Sequence, residues 1–323
     1  MWLELDTTVL AAATLVALAL DRGLGEPPAR VHPVVWMGRL LEALGRRIAP
    51  PAGQAARRPA LTVAAGALAW LAGAAVVVAL AWWGQRWAQQ APAWVQAIVL
   101  GVALKPMLAW RMLRDEVAAV EAALARGLEA ARDRLSRLVS RETRALDAAQ
   151  VRQAALSTLA ENVNDSVVAP LLWWWVAGLP GAALYRWANT ADAMWGYRGA
   201  HGGRDWTYAG RWAARADDVL SWWPARLSAV LLALSARRWP GWSALRREAA
   251  RTPSPNGGWP MGALALLLGV RLDKPGVYAL NPAARAPAAE DVPQALRWAE
   301  RAVAWWGVAA AALLALALMR EVR

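Results

Sequence analysis

The stretch AENVNDSVVAP, residues 160–170, sets two carboxylates and two amides against an uncharged run. Glu161 and Asp165 are four residues apart, so on a helix they share a face and could hold one Mg²⁺ through oxygen. A solvated helix end would show the same pair, with Asn162 beside it. Next comes YRWANTADAMWGYR, where Asn189 and Asp192 precede Tyr197 and Arg198; an interfacial helix could carry these residues for solubility alone. GRWAARADDVLSWWPARL then puts Arg211, Arg215 and Asp218 on one helical face, with Asp217 adjoining, and a surface ion-pair stripe is the plain alternative. Arg226 stands inside an apolar run, where a charge is costly and calls for a partner or a ligand. Last, TPSPNGGWPMGA reads as a rigid turn in which Asn256, Trp259 and the glycines could bring backbone near a ligand, or as a plain loop.

Other chemistries lack their residues. There is no G-x-x-x-x-G-K-[ST] loop, G-x-G-x-x-G unit or H-E-x-x-H helix. Cysteine is absent and the histidines are His32 and His201, which rules out thiol nucleophiles and multi-histidine metal sites. Carboxylates that bind Mg²⁺ and arginines that meet phosphoryl oxygens suit phosphoryl transfer, which is mostly positioning and charge neutralisation. From the residues alone, the reading is a membrane-embedded site for an anionic ligand, with the substrate open.

These residues need a frame, and 58% hydrophobic composition over 323 residues points to the bilayer. Residues 59–83 carry no charge and are long enough to cross ~30 Å of hydrocarbon as a helix. Residues 7–20 and 303–319 form shorter apolar helices, and 92–113 starts apolar but reaches Lys105 and Arg111, which places its inner end at the interface. The first helix follows Glu4 and Asp6 and has no small-x-small site before Asp21, so it reads as retained rather than as a cleaved signal. Lys and Arg number 36 against 24 Asp and Glu, a net +12 that basic cytoplasmic loops explain without nucleic acid. Residues 22–58 carry seven Arg, which puts them in the cytoplasm and the N-terminus outside.

From 111 to about 158 the apolar residues Val117, Val120, Leu124 and Leu128 recur at helical spacing, the pattern of an amphipathic cytoplasmic helix. Pro170, Pro180 and Gly181 suggest that 166–185 is a re-entrant hairpin. Residues 219–236, with Pro224 and Arg226, and GWPMGALALLLGV suggest further partial insertions. The expected fold is therefore all-α: a polytopic integral membrane helical protein with three or four spans and re-entrant segments. It is one membrane domain over 1–323, with amphipathic cytoplasmic helices at 111–160 and a site-bearing region at 161–275. Twenty-three Trp beside no Phe is unusual and has no explanation in the sequence.

Four blocks carry a specific resemblance: LDRGLGEPPARVHPVVWMGRL, AENVNDSVVAPLLWWWVAGLPGAALYRWANTADAMWGYR, ARADDVLSWWPARL and PSPNGGWPMGALALLLGVRLDKPGVY. In order and separation they resemble the signature blocks of the CobD/CbiB family, membrane-bound adenosylcobinamide-phosphate synthases of cobalamin biosynthesis. Ser166, Ser221, the GAHGGRDWTYAG loop, Leu280 and Asn281 depart from the usual pattern. The resemblance implies joining of the free propionate of adenosylcobyric acid to (R)-1-amino-2-propanol or its O-phosphate, driven by ATP and Mg²⁺ through an acyl phosphate. Glu161, Asp165, Asp192, Asp217 and Asp218 would then be the candidate metal ligands. Glu161, Asp165, Arg215 and Asp218 would be catalytic, with Asp218 as the base that takes the ammonium proton. Arg198, Arg215 and Arg226 would neutralise phosphates. Asn162, Asn189 and Asn256 would orient amides, and Tyr197 and Trp259 would line the substrate site.

His32, in the first block, reads as structural sooner than as a cobalt ligand. The implied setting is a bacterial inner membrane with the site facing the cytoplasm, in contact with lipid. The chain could form a homo-oligomer or associate with other membrane enzymes of cobalamin assembly. An AmpE-like sensor and a transporter are the rival readings, although no inverted repeat is visible. All of this requires residues 161–259 to converge on one water-accessible pocket.

Overall fold

The computed structural model describes residues 5–54, 56 and 58–321; Glu4, one of the acids ahead of the first helix, lies outside the described residues. In chain order the helices are α1 Thr7–Leu24, α2 Pro33–Ile48, α3 Pro59–Ala88, α4 Ala93–Leu104, α5 Trp110–Leu124, α6 Leu128–Leu135 and α7 Ala148–Val163. They continue as α8 Ala169–Trp195, α9 Arg211–Leu220, α10 Trp222–Ala236, α11 Trp242–Ala249, α12 Gly258–Leu268 and α13 Asp291–Glu321. Two antiparallel hairpins interrupt them: β1 Ala200–His201 with β2 Arg204–Asp205, and β3 Leu272–Lys274 with β4 Tyr278–Leu280. The fold is all-α, as expected.

Five helical segments are long and apolar enough to cross a membrane: Thr7–Leu24, Pro59–Ala88, Ala93–Leu124, Ala148–Trp195 and Asp291–Arg320. A sixth is reached if the bent pair Arg211–Leu220 and Trp222–Ala236 counts as one, so the expected three or four spans were too few. These segments fit a multi-pass membrane protein. The additional segment is Ala148–Trp195, which is interrupted at Ala177 and Gly178. The chain divides into two compact units: residues 1–108, 169–220 and 310–323, and residues 109–168 and 221–309.

In the first unit α1 packs on α4, and α3 on α8. The chain does fold back within 166–185, as expected: α8 is two helices that meet at a break at Ala177 and Gly178, whose φ of 62° suits glycine, and a Cβ on Gly181 would stand 2.3 Å from the Trp173 carbonyl eight residues earlier. A broken helix among apolar neighbours exposes backbone polar groups that need partners. Gln85 of α3 provides one, accepting from the Leu179 N–H at 2.8 Å. Lys105 is buried: its Nζ faces Asp21 at 3.0 Å and donates to Glu26 at 2.8 Å and to the Leu108 carbonyl at 3.2 Å. Pairing is what makes a lysine tolerable there. The indoles gain a partial explanation too. Trp174 and Trp175 both donate to the Thr14 hydroxyl, Trp173 to the Leu220 carbonyl and Trp187 to the Trp70 carbonyl, bonds that Phe could not make.

In the second unit the expected amphipathic pattern holds for α5, where Trp110, Leu113, Val117 and Val120 are buried three or four residues apart. It fails for α7. Every residue from Gln153 to Ala160 is buried, so that helix is enclosed on all sides rather than lying on a surface. Its start is a capping box in which Asp147 and Gln150 satisfy each other's backbone N–H. Arg152 pairs with Glu121 of α5 at 2.7 Å. GWPMGALALLLGV becomes α12, whose 11 residues rise about 16 Å, half a bilayer core. Leu232 and Ala233 of α10, Leu267 of α12 and Ala302 of α13 form a core cluster in this unit.

Candidate functional site

The ENVND stretch closes α7 and enters a π-helical turn, Asn164–Val168. The sequence explains the irregularity. The Ser166 carbonyl would normally accept from residue 170, but Pro170 has no N–H. Ala109 donates its backbone N–H to that carbonyl instead, at 3.1 Å. Single π turns are frequent at functional sites, and this one carries Asp165. Buried Asn164 orients it: the amide donates to Asp165 Oδ1 at 2.7 Å and accepts from the Ser228 hydroxyl of α10 at 3.1 Å. Asn164 is a positioning residue that sequence reasoning missed, although it stands inside the ENVND stretch itself. Asn162 donates to the Thr158 carbonyl of its own helix at 3.0 Å, which occupies its amide nitrogen locally.

Arg226 of α10 lies two residues from Ser228. Its guanidinium carbon sits 4.0 Å above the Trp222 ring and 4.6 Å from that of Trp259. One nitrogen donates to the Trp222 carbonyl at 2.7 Å and to Asn256 Oδ1 at 3.1 Å. Two indole faces thus hold the cation while neutral oxygens fix its rotation. Asn256 is buried in the turn before α12, which the Ser254 hydroxyl ties by accepting from the N–H groups of Asn256 and Gly257, each at 3.2 Å. Side chains are excluded at Gly258, where a Cβ would stand 2.5 Å from the Thr252 hydroxyl and 2.6 Å from the Ala249 carbonyl. At Gly257 a Cβ would come 3.4 Å from Glu161 Oε1, so the glycine turn lies against that carboxylate.

The β3–β4 hairpin and the loop before α7 add two further residues that sequence reasoning missed. Tyr278, on β4, places its hydroxyl 3.5 Å from the Met261 sulfur. Burial pushes its phenol above the usual range, partly offset by the nearby Ser157 side chain, and Glu161 and Arg141 act on it electrostatically. Arg141 comes from the loop before α7, and its Nη1 is buried without a hydrogen-bond partner among the described residues. Burial lowers the pKa of this guanidinium, against the pull of Tyr278 and Asp273. Tyr278 ends the fourth signature block, so a signal existed for it. Arg141 sits among other loop charges and had none.

The second unit therefore gathers Glu161, Asn162, Asp165, Arg226, Asn256 and Trp259. The remaining candidates lie in the first unit. Asn189 accepts from Arg186 at 3.4 Å, and the Asp192 carboxylate folds over Gly196, whose N–H donates to the Asp192 carbonyl at 2.7 Å. The Tyr197 ring stacks on His201 with centroids 3.6 Å apart. On α9, Asp217 and Asp218 are half-buried, Arg215 is exposed, and Arg198 is the cation that acts on Asp218. Arg211 is engaged locally, donating to the Thr207 carbonyl at 3.0 Å and lying over Tyr208. No group of three or more His, Asp or Glu among the described residues stands ready to hold a metal ion. His32 is structural: Nδ1 accepts from the Val34 N–H at 3.2 Å and Nε2 meets Glu26 at 3.0 Å, so both ring nitrogens are engaged.

Residues 14–306 match the family model described as CobD/Cbib protein. The chain belongs to the CobD/CbiB family. It is 38% identical over 302 residues to the probable cobalamin biosynthesis protein CobD of Thermococcus kodakarensis, covering 93% of this chain and 95% of the relative. The cobalamin biosynthesis protein CobD of Chromobacterium violaceum is 38% identical over 301 residues, 90% of this chain and 92% of its own. That of Rhodobacter capsulatus is also 38% identical, over 309 residues, 91% and 94% of the two chains. No solved structure matches significantly. The residues described above are thus those of a CobD/CbiB protein, and the π turn and the glycine turn both fall inside the matched span.

Proposed function

We propose that this CobD/CbiB protein joins the free propionate of adenosylcobyric acid to (R)-1-amino-2-propanol or its O-phosphate at the expense of ATP. The observation that carries the reading is the second unit's grouping of two carboxylates, Glu161 and Asp165, with the stacked Arg226 and the Asn256 turn. The substrate carboxylate attacks the γ-phosphorus of ATP, releasing ADP and leaving an acyl phosphate. The amine then attacks the acyl carbon, phosphate leaves, and the ammonium proton passes to a protein carboxylate. No protein nucleophile is needed, in keeping with a chain that has no cysteine.

Mg²⁺ fits the donor set, because an ion that takes most of its oxygens from nucleotide and water needs only one or two protein carboxylates. Asp165 is the proposed ligand in the second unit, with Asp192 and Asp217 as the first unit's candidates, and a bound ion would neutralise phosphoryl charge. Arg226 and Arg141 would meet phosphoryl oxygens, the first pre-oriented by indoles and the second with an unused buried donor. Arg198 and Arg215 would add positive charge along α9, and Asp218 would take the amine proton. Glu161 would hold the amine before attack, with Asn162, Asn189, Asn256, Tyr197 and Trp259 shaping the substrate contacts. The seven arginines in residues 22–58 support a cytoplasmic orientation, where ATP is available.

The deciding experiment incubates the full chain in nanodiscs with adenosylcobyric acid, Mg²⁺-ATP and each amine in turn. The expected result is one ADP and one phosphate released per amide formed. Corrinoid binding with no ATP-dependent product would replace the ligase with the AmpE-like sensor reading.

A further inference from the structure

The first unit holds a cavity of about 850 Å³ that none of the roles above uses. Its body is apolar, walled by residues such as Leu20, Val77, Leu80 and Ala183, and its polar groups are Glu26 and Lys105. Those two belong to the buried network of Asp21, Glu26, His32 and Lys105. The network's hydrogen-bond inventory says what can dock there. Lys105 donates to Glu26 and to the Leu108 carbonyl, and its charge also faces Asp21 at 3.0 Å. His32 uses Nδ1 to accept from Val34 and Nε2 to donate to Glu26. The cation lining the cavity is thus already matched by two carboxylates, which disfavours a phosphate. Glu26 differs: each oxygen accepts one bond, and a carboxylate has about four acceptor positions. The four linked groups also carry two negative charges against one positive with His32 neutral, which disfavours an anion.

We infer that this cavity binds the corrinoid, its apolar macrocycle against the α1, α3 and α8 walls and one of its primary amides donating to Glu26. The inference rests on the ligase reading and deepens it. It gives the LDRGLGEPPARVHPVVWMGRL block a task, since Asp21, Glu26 and His32 all come from it. It also separates the substrates by chemistry. A triphosphate needs unmatched cations, and this cavity's lysine faces two carboxylates, whereas a large ring fringed with amides needs apolar wall and a spare acceptor. The volume lies at the upper end of small-molecule sites, which span about 300–1,000 Å³.

Equilibrium dialysis of the full chain in nanodiscs against adenosylcobyric acid, read by corrinoid absorbance without ATP, tests the assignment. Leu80→Trp and Val31→Trp narrow the cavity at exposed lining positions, so they should fold, as unchanged melting would confirm. Each is expected to raise Kd at least tenfold. Glu26→Gln, which turns an acceptor into a donor facing Lys105 or His32, should raise it several-fold. Wild-type binding that all three variants retain would overturn the cavity assignment and leave the ligase standing. The cavity assignment falls equally if the Trp variants release a co-purified lipid while corrinoid affinity is unchanged. Failure of the wild-type protein to bind the corrinoid at all would remove the ligase reading, and this inference with it.

Discussion

Lys105 and Arg226 are both cations set among apolar residues, and the two units treat them in opposite ways. Lys105 meets two carboxylates and a carbonyl, so its charge is cancelled. Arg226 is held by two indole faces and two neutral oxygens, which orient the guanidinium without neutralising it. A cancelled charge stabilises the protein and cannot act on an anion. An oriented charge keeps its field for a ligand and adds less to stability. Charge count in the sequence does not distinguish the two cases, whereas the partners do.

The sharpest way to break this comparison is to exchange the consequences of mutation. Asp165→Asn keeps an oxygen to accept from Asn164, so the π turn should survive while amide formation falls about 10³-fold or more, a loss of ~4 kcal/mol in transition-state stabilisation. Asp218→Asn should behave similarly if it is the base. Single-turnover product assays beside melting curves measure both, and near-wild-type rates would remove the metal and base roles. Lys105→Met should do the reverse. It removes the cation that faces Asp21 and Glu26, and breaking a buried pair costs about 3–5 kcal/mol, visible as a large fall in melting temperature. A Lys105→Met protein of normal stability would mean that the network is not closed.

Arg226→Lys comes next. A lysine keeps the charge but cannot stack its plane between Trp222 and Trp259, so the substitution should recover little of the loss seen in Arg226→Ala. The expected change is a ten- to hundredfold higher KM for ATP or for the phosphorylated amine, about 1.4–2.7 kcal/mol, with melting nearly unchanged. A KM unaffected for both substrates would place Arg226 with Lys105, as a structural cation. Arg141→Met sharpens the same point on a smaller scale. Removing a buried, unpartnered donor should raise stability by ~1 kcal/mol while weakening nucleotide binding several-fold, a trade-off expected where a site keeps unsatisfied charge.

Much of this architecture is legible in the sequence because apolar length and helical spacing are local signals. The helical class, the long span at 59–83 and the one-sided face of α5 need nothing from the rest of the chain. Partnerships at long range are not legible. The partners of Lys105 are hidden because Asp21 and Glu26 lie about eighty positions away. Pro180 and Gly181 signal the fold-back locally, but Gln85, which satisfies its backbone, sits on another helix and leaves no local sign. Within the candidate site, the grouping of Glu161, Asp165, Arg226 and Asn256 follows motifs visible in the sequence. Asn164 escapes notice because nothing in a run of amides says which one orients its neighbour. Arg141 is hidden because a loop arginine shows no sign of burial until the fold covers it.

Tyr278 offers the mildest test, and it reads the surroundings of Glu161 and Arg141 directly. Burial raises the phenol's pKa above its ordinary 10.0, and the negative charge of Glu161 pushes the same way, while Ser157 and Arg141 oppose. A group whose proton is held more tightly in the folded state contributes stability that is fully present below the unfolded value. That contribution is lost as pH rises past about 10 and through the higher folded value. Wild-type melting temperature should therefore fall as pH is taken from about 9.5 to 11, and Tyr278→Phe should flatten part of that fall because Phe has no proton to lose. Arg141→Met in the otherwise wild-type protein removes one of the opposing influences, so it should steepen the fall. A slope unchanged by either substitution would mean that the phenol is open to water, and that the hairpin does not press it against the carboxylate and guanidinium to which the site assigns chemistry.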